Sequence, residues 1–203
     1  MMNYLIIIFI SYSLGCSNMA YYIGKIKHVD VLKHGSKNPG ASNSMLLFGW
    51  KYGILVGIHD IGKSALAAML ATILFPELPY AAAVAGVSSV LGHMFPLPFK
   101  FHGGKGFASF IGMMLALDWK FGLIILCLVV LVTLVTDYIV LGTTLTITAL
   151  PTYYFFTIKT WVLPAIICIA TIAIIYKHRM NYVRIYKGTE IGFRSANRGE
   201  HRA

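Results

Sequence analysis

Residues 121–136 read FGLIILCLVVLVTLVT. Neither a charge nor a proline interrupts them. The run approaches the roughly 20 apolar residues that carry a helix across the ~30 Å hydrocarbon core of a bilayer. Outward from it, residues 4–24, 52–75, 80–94, 140–156 and 161–176 form similar blocks. A seventh block, 104–117, is short. At the helical rise it covers about 21 Å, so it is expected as a partial, re-entrant or tilted helix, extended through Trp119 if tilted. Composition agrees: 58% of the 203 residues are hydrophobic and 12% are charged, against about 25% charged in a soluble domain. The expected fold is an all-α integral membrane protein, a seven-helix transmembrane bundle forming one domain over residues 1–203.

Charge placement orients that bundle. Lys25, Lys27, Lys33, Lys37 and Lys51 fall between the first two blocks, and Lys100 and Lys105 between the third and fourth. Lys177, Arg179, Arg184, Lys187, Arg194, Arg198 and Arg202 fill the C-terminal stretch, including a basic tail over 193–203. The opposite connections carry only Glu77, the pair Asp118 and Lys120, and Lys159. Cytoplasmic loops hold the excess of Lys and Arg. Seven spans with the N-terminus outside and the C-terminus cytoplasmic place every basic cluster inside. The net charge of +10 therefore reads as membrane topology and a lipid-facing tail, with no nucleic-acid partner. Cys16, Cys127 and Cys168 all sit in apolar blocks and read as small buried residues. They imply neither disulfide nor metal site. The first block lacks the basic stretch of a signal peptide and reads as a retained helix.

Three polar stretches lie on the expected cytoplasmic side, in loops over 25–51, 92–106 and 177–192, and far apart in sequence they are expected to converge at one membrane face. The first, HGSKNPGASN at 34–43, is rich in turn formers with exposed N–H groups. It reads either as an anion-binding concavity or as an ordinary polar turn. The second contains GHMFP at 92–96, Lys100-Phe101 and GGKG at 103–106. Its glycines and lysine open an apolar helix, an arrangement that suits a phosphate. The bland reading is a loop with one more positive-inside lysine. The third runs from HRMN at 178–181 through Arg184 to GTE at 188–190. Its His178, Asn181 and Glu190 suit a hydroxylated, phosphorylated substrate, but alone the stretch reads as a juxtamembrane basic segment held near anionic lipid. Inside the second block, Asp60 and Lys63 stand three residues apart on one helical face. They read first as a structural ion pair and second as a functional one, with His59 a satisfied polar neighbour.

Taken in order over residues 15–190, these stretches resemble the acyl-phosphate:glycerol-3-phosphate acyltransferase family, the PlsY type. That family has three cytoplasmic motifs on a seven-helix bundle. The second motif matches almost position by position, the third is also kept, and Asp60 and Lys63 stand where the family has its own membrane Asp and Lys. The resemblance implies acyl transfer from acyl phosphate to the 1-hydroxyl of glycerol 3-phosphate at the cytoplasmic face of the cell membrane. The products are 1-acyl-glycerol 3-phosphate and phosphate, and neither metal nor other cofactor is expected. It implies that Ser36, Asn38, Ser42 and the Gly103-Gly104 backbone cradle phosphate. Lys105, His178 and Asn181 then hold glycerol 3-phosphate or stabilise developing charge. Ser36, Lys105, His178 and Asn181 are the expected catalytic set. Lys37, Asn43, His93, Thr143, Arg179 and Glu190 are further expected substrate contacts. The donor implies an acyl-phosphate-producing enzyme as a candidate partner beside membrane lipid. No His is followed five positions later by Asp, so the His–Asp base of many other acyltransferases is missing.

The chain departs from the family pattern at named places. Lys37 replaces Gly, Ser42 replaces Thr and Leu46 replaces Arg. Asp137 and Val140 replace Arg and Ser before the sixth helix. Leu cannot give the bidentate phosphate contact of Arg. Either Lys37 restores that charge, or the chain is a substrate-altered or impaired paralogue that binds lipid phosphate. A small transporter or channel also fits seven short spans, but polar residues gathered in one-sided loops argue against it.

Overall fold

The apolar blocks fold as helices, and among the described residues the regular elements are helical throughout. The structure, a computed structural model, describes residues 1–194; Arg198 and Arg202 of the basic tail lie outside them. The chain groups into two compact units, Met1–Leu117 and one beginning at Asp118.

The first unit holds α1 (Met2–Cys16), α2 (Met19–Ile26), α3 (Ala41–Phe48), α4 (Trp50–Leu74), α5 (Ala81–Met94), a 3-10 turn (Leu97–Phe99) and α6 (Phe107–Leu117). The block 4–24, expected as one helix, breaks after Cys16. The cause is Asn18, whose side-chain oxygen accepts the N–H groups of Ala20 at 3.0 Å and Tyr21 at 3.3 Å. A side chain that satisfies the first N–H groups of a new helix competes with continuation of the old one. α1 lies along α5, and small residues set the approach: a Cβ on Gly15 would overlap the Ser89 carbonyl, and one on Gly92 the Tyr12 carbonyl. Close backbone contact at glycine drives helix association where lipid replaces water.

α6 is 11 residues long, about 16 Å, and packs on α4 and α5. Residues Ser109, Phe110, Ile111, Gly112, Met113 and Met114 are buried in succession, as in a helix enclosed on all sides. It does not extend through Trp119. Asp118 is extended, and its carboxylate accepts the Phe121 N–H at 2.9 Å, starting a new helix.

The second unit holds α7 (Trp119–Thr136), α8 (Ile139–Thr157) and α9 (Val162–Tyr186), with α8 packed on both others. α7 leaves Leu123, Ile124, Leu128, Leu131 and Val135 exposed, an apolar face for lipid. Cys127 is exposed on the same helix, so it is not the buried residue expected. Pro151 interrupts α8 internally and cannot donate to the carbonyl of Ile147. Thr171 of α9 supplies the missing donor, its hydroxyl 2.8 Å from that oxygen. Unsatisfied backbone groups are costly in a bilayer, so the proline is tolerated through its neighbour.

Among the described residues, six stretches are long and apolar enough to cross a membrane: Met2–Ile26, Trp50–Leu74, Ala81–Phe99, Trp119–Thr136, Ile139–Thr157 and Val162–Tyr186; Phe107–Leu117 is shorter. α9 runs ten residues past the apolar block that suggested it, so His178, Asn181 and Arg184 are helical rather than in a loop over 177–192. Its buried stripe shows why: Leu163, Ile167, Ala170, Thr171 and Ile174 continue at helical spacing into His178 and Asn181. Likewise the loop over 25–51 contains α3 and the start of α4, and Gly92 and His93 lie on α5.

Candidate active site

In the first unit the loop before α3 is organised by Asn43. Its amide donates to the carbonyls of Val31 at 3.0 Å and His34 at 3.2 Å, and its oxygen accepts the Ser36 N–H at 2.7 Å. Asn43 is buried, so this side chain holds the turn from within. Asn18 adds a bond to the Pro39 carbonyl at 3.2 Å. Ser36, Lys37 and Ser42 are exposed and Asn38 is half-buried, leaving their side chains at the surface of a fixed turn. Lys37 has φ 56°, a left-handed conformation that glycine adopts without penalty. Leu46 lies beside that turn, with Cδ2 3.1 Å from where a Cβ on Gly35 would stand. Position 46 therefore borders the loop, and there this chain offers methyl groups where the resemblance expects a guanidinium.

The second polar stretch sits on a buried ionic network. Lys63 Nζ donates to Asp60 Oδ1 at 2.8 Å, to the Ser17 carbonyl at 2.6 Å and to His93 Nδ1 at 2.9 Å. The Ser17 carbonyl is presented by the α1–α2 break. His93 Nδ1 is also 3.3 Å from Asp60 Oδ1. His59 bridges Asp60 at 3.5 Å and the Ser17 hydroxyl at 3.0 Å. An ammonium has no acceptor, so Nδ1 of His93 accepts this hydrogen bond from Lys63 and the neutral ring carries its proton on Nε2. The ion pair read from spacing is present; its third partner, His93, is 30 residues further along.

From His93 the chain passes through the 3-10 turn and returns at Gly103 and Gly104. The Gly104 N–H donates to the His93 carbonyl at 3.2 Å. Tyr12 and Tyr21 brace the intervening loop: their hydroxyls donate to the carbonyls of Phe95 at 2.6 Å and His102 at 2.5 Å. Tyr21 also stacks on Phe99 at 4.1 Å. Sequence reading missed Asn18 and both tyrosines as supports; an Asn inside an apolar block is the one signal that marks them. Gly103 and Gly104 are buried and Lys105 is half-buried at the mouth of α6.

In the second unit α9 carries the third stretch. His178 and Asn181 are both buried. His178 Nδ1 donates to the Ile174 carbonyl at 2.9 Å. After α9 the chain reverses at Gly188, φ 68°, and brings Glu190 back alongside the helix. Asn181 Nδ2 donates to Glu190 Oε1 and Arg184 Nε to Glu190 Oε2, each at 2.5 Å. Arg179 points elsewhere, donating to the Tyr176 carbonyl at 2.8 Å with its guanidinium over the Tyr176 ring. Thr143 is buried on α8, its hydroxyl bonded to the Ile139 carbonyl at 3.2 Å.

Asp137 has a partner of its own. It connects α7 and α8 with φ 69°, and its carboxylate accepts the Arg194 N–H at 2.8 Å while its carbonyl accepts the Phe193 N–H at 2.7 Å. Gly192 lies against that carboxylate, and the Arg194 guanidinium donates to the Leu134 carbonyl at the end of α7, where a cation is favoured. Asp137→Arg is therefore expected to lower stability, by about 1–2 kcal/mol, rather than repair a defect. Thermal unfolding in detergent checks this; a raised midpoint would show that the carboxylate has no such role.

Apolar helices and glycine-rich loops define an all-helical integral membrane protein. The chain belongs to the glycerol-3-phosphate acyltransferase family, whose model matches residues 5–188. Glycerol-3-phosphate acyltransferase 1 of Oceanobacillus iheyensis is 36% identical over 196 residues, covering 91% of this chain and 92% of the relative. The glycerol-3-phosphate acyltransferase of Fusobacterium nucleatum is 34% identical over 197 residues, with 95% and 100% covered. The crystal structure of PlsY (YgiH), an integral membrane glycerol 3-phosphate acyltransferase, in its glycerol 3-phosphate form, superposes with a TM-score of 0.87. It shares 30% identity and covers 96% of this chain and 98% of that one. The family read from the three motifs is the family shown.

Proposed function

We propose that this chain transfers an acyl group from acyl phosphate to the 1-hydroxyl of glycerol 3-phosphate, releasing 1-acyl-glycerol 3-phosphate and inorganic phosphate. The observation that carries this reading is the Gly-Gly-Lys-Gly loop at 103–106, braced at the mouth of buried α6 in a chain of this family. Ser36, Asn38 and Ser42, on their fixed turn, and the N–H group of Gly103 serve to bind phosphate, while the Gly104 N–H is spent on the His93 carbonyl. Lys105 pairs with substrate charge, and His178 and Asn181 hold the acceptor. The acceptor oxygen forms a bond to the acyl carbonyl carbon, the bond from that carbon to phosphate breaks, and the hydroxyl proton leaves with a phosphate oxygen. Both oxygens of Glu190 accept from Asn181 and Arg184, which supports a substrate phosphate over a carboxylate as proton acceptor. Positioning and charge stabilisation supply the catalysis.

Placement of the basic residues supports seven crossings, with the N-terminus outside and these loops on the cytoplasmic face of the cell membrane. The whole chain acts as one domain in this reading. The test is phosphate release by purified protein from palmitoyl phosphate, with and without glycerol 3-phosphate, beside Lys105→Ala. Acceptor-dependent release is expected, falling about 10- to 100-fold in the variant. No release above the variant from folded wild-type protein would sink the reading and favour an impaired paralogue.

A further inference from the structure

Gly104 is held to glycine by a neighbour, not by its own backbone. Its φ lies outside the left-handed region, so alanine meets no conformational strain there. The obstacle is one ring: a Cβ on Gly104 would overlap His93 Nε2, and Cε1 and Cδ2 of the same imidazole are its next neighbours at 2.7 and 3.2 Å. A loose imidazole would swing aside. This one is buried, 3% exposed, and tied at Nδ1 to Lys63, itself paired with Asp60. Lys63 is in turn fixed to the Ser17 carbonyl. The backbone repeats the contact, because the Gly104 N–H is bonded to the His93 carbonyl.

We propose that His93 is a positioning residue: its ring, held by Lys63, which Asp60 fixes in turn, is the platform that sets where the loop through Gly104 presents the Gly103 N–H and Lys105 to substrate phosphate. The role requires a packed edge rather than a ligand, and it explains why a buried ion pair in α4 accompanies a loop at the mouth of α6. The proposal rests on the phosphate-binding reading of loop 103–106.

The experiment uses the full chain in detergent, with inorganic phosphate binding by calorimetry and KM for glycerol 3-phosphate from turnover. Gly104→Ala and His93→Ala are each expected to weaken both about 10- to 100-fold. The Gly104→Ala/His93→Ala double variant is the decisive one. With the ring gone the new methyl has room, so the double is expected to bind phosphate about threefold or more tighter than Gly104→Ala alone. Losses that simply add would overturn the proposal. So would a double variant that regains its unfolding temperature but not its phosphate affinity, since the contact would then be structural only. Should Gly104→Ala fail to fold, His93→Gln keeps an acceptor for Lys63 and vacates the space over Gly104. An unchanged KM in it would count equally against the idea. Absent turnover in wild type would refute the acyltransferase reading, while phosphate binding still decides the role of His93. Wild type that binds no phosphate overturns both.

Discussion

Lys63→Met is expected to cost about 3–5 kcal/mol of stability, the usual result of removing one partner from a buried ion pair. Lys63 and Asp60 side chains are only 5% and 3% exposed. Without the ammonium, Asp60 keeps its charge against His93 and His59 alone, buried in a helix of membrane-spanning length. The Ser17 carbonyl loses its donor as well. Replacing both partners together has a different consequence. An Asp60→Leu/Lys63→Met chain removes the charge as well as its partner, and such exchanges often come out near neutral. The measurement is denaturant or thermal unfolding in one detergent. The single variant should fall well below wild type and the double should recover much of the loss. A single variant as stable as wild type would mean that water or lipid headgroups reach Asp60, and the buried network would have to be abandoned as the support of the glycine loop.

The same network marks the limit of what sequence discloses. The spans are legible because a bilayer demands one long apolar run per crossing, a signal that survives without any knowledge of packing. Asp60 and Lys63 are legible as a pair because three residues of helix bring them to one face. His93 is not, because nothing local says that a residue 30 positions away completes the pair. The polar loops are legible as sites from their glycines and from resemblance, but their internal wiring is not. Asn43 reads as a substrate contact from its motif, and the structure shows its amide committed to the turn that carries Ser36. Asn18 could have been noticed, since an Asn after an apolar run is a helix-start signal; a hydropathy window averages it away. The end of α9 is hidden for the related reason that polar residues end an apolar block without ending a helix. Asp137 reads from sequence only as a lost Arg, because its carboxylate's partner, 57 residues on, is a backbone N–H that carries no residue signature.

Glu190→Ala is expected to lower turnover about 10- to 100-fold, the effect of losing charge-assisted bonds to Asn181, the residue proposed to hold the acceptor. Glu190 is the shared acceptor that fixes Asn181 and Arg184 on adjacent turns of α9, and it reaches them only because the chain reverses at Gly188. In the alanine variant the Asn181 amide loses its carboxylate acceptor, so the loss should show as a raised KM for glycerol 3-phosphate before it shows in kcat. Glu190→Gln separates the two bonds. Its amide oxygen still accepts from Asn181, while its NH₂ group faces the Arg184 N–H and cannot accept it. The glutamine variant should therefore fall between wild type and alanine, with most of its deficit at Arg184. Steady-state kinetics on the three chains, at matched folding by thermal unfolding, decides the matter. If glutamine is as impaired as alanine, the carboxylate charge itself is required, and Glu190 would regain its claim as the proton acceptor. If alanine equals wild type, Asn181 is positioned by its helix alone and the return of the chain after α9 has no part in catalysis.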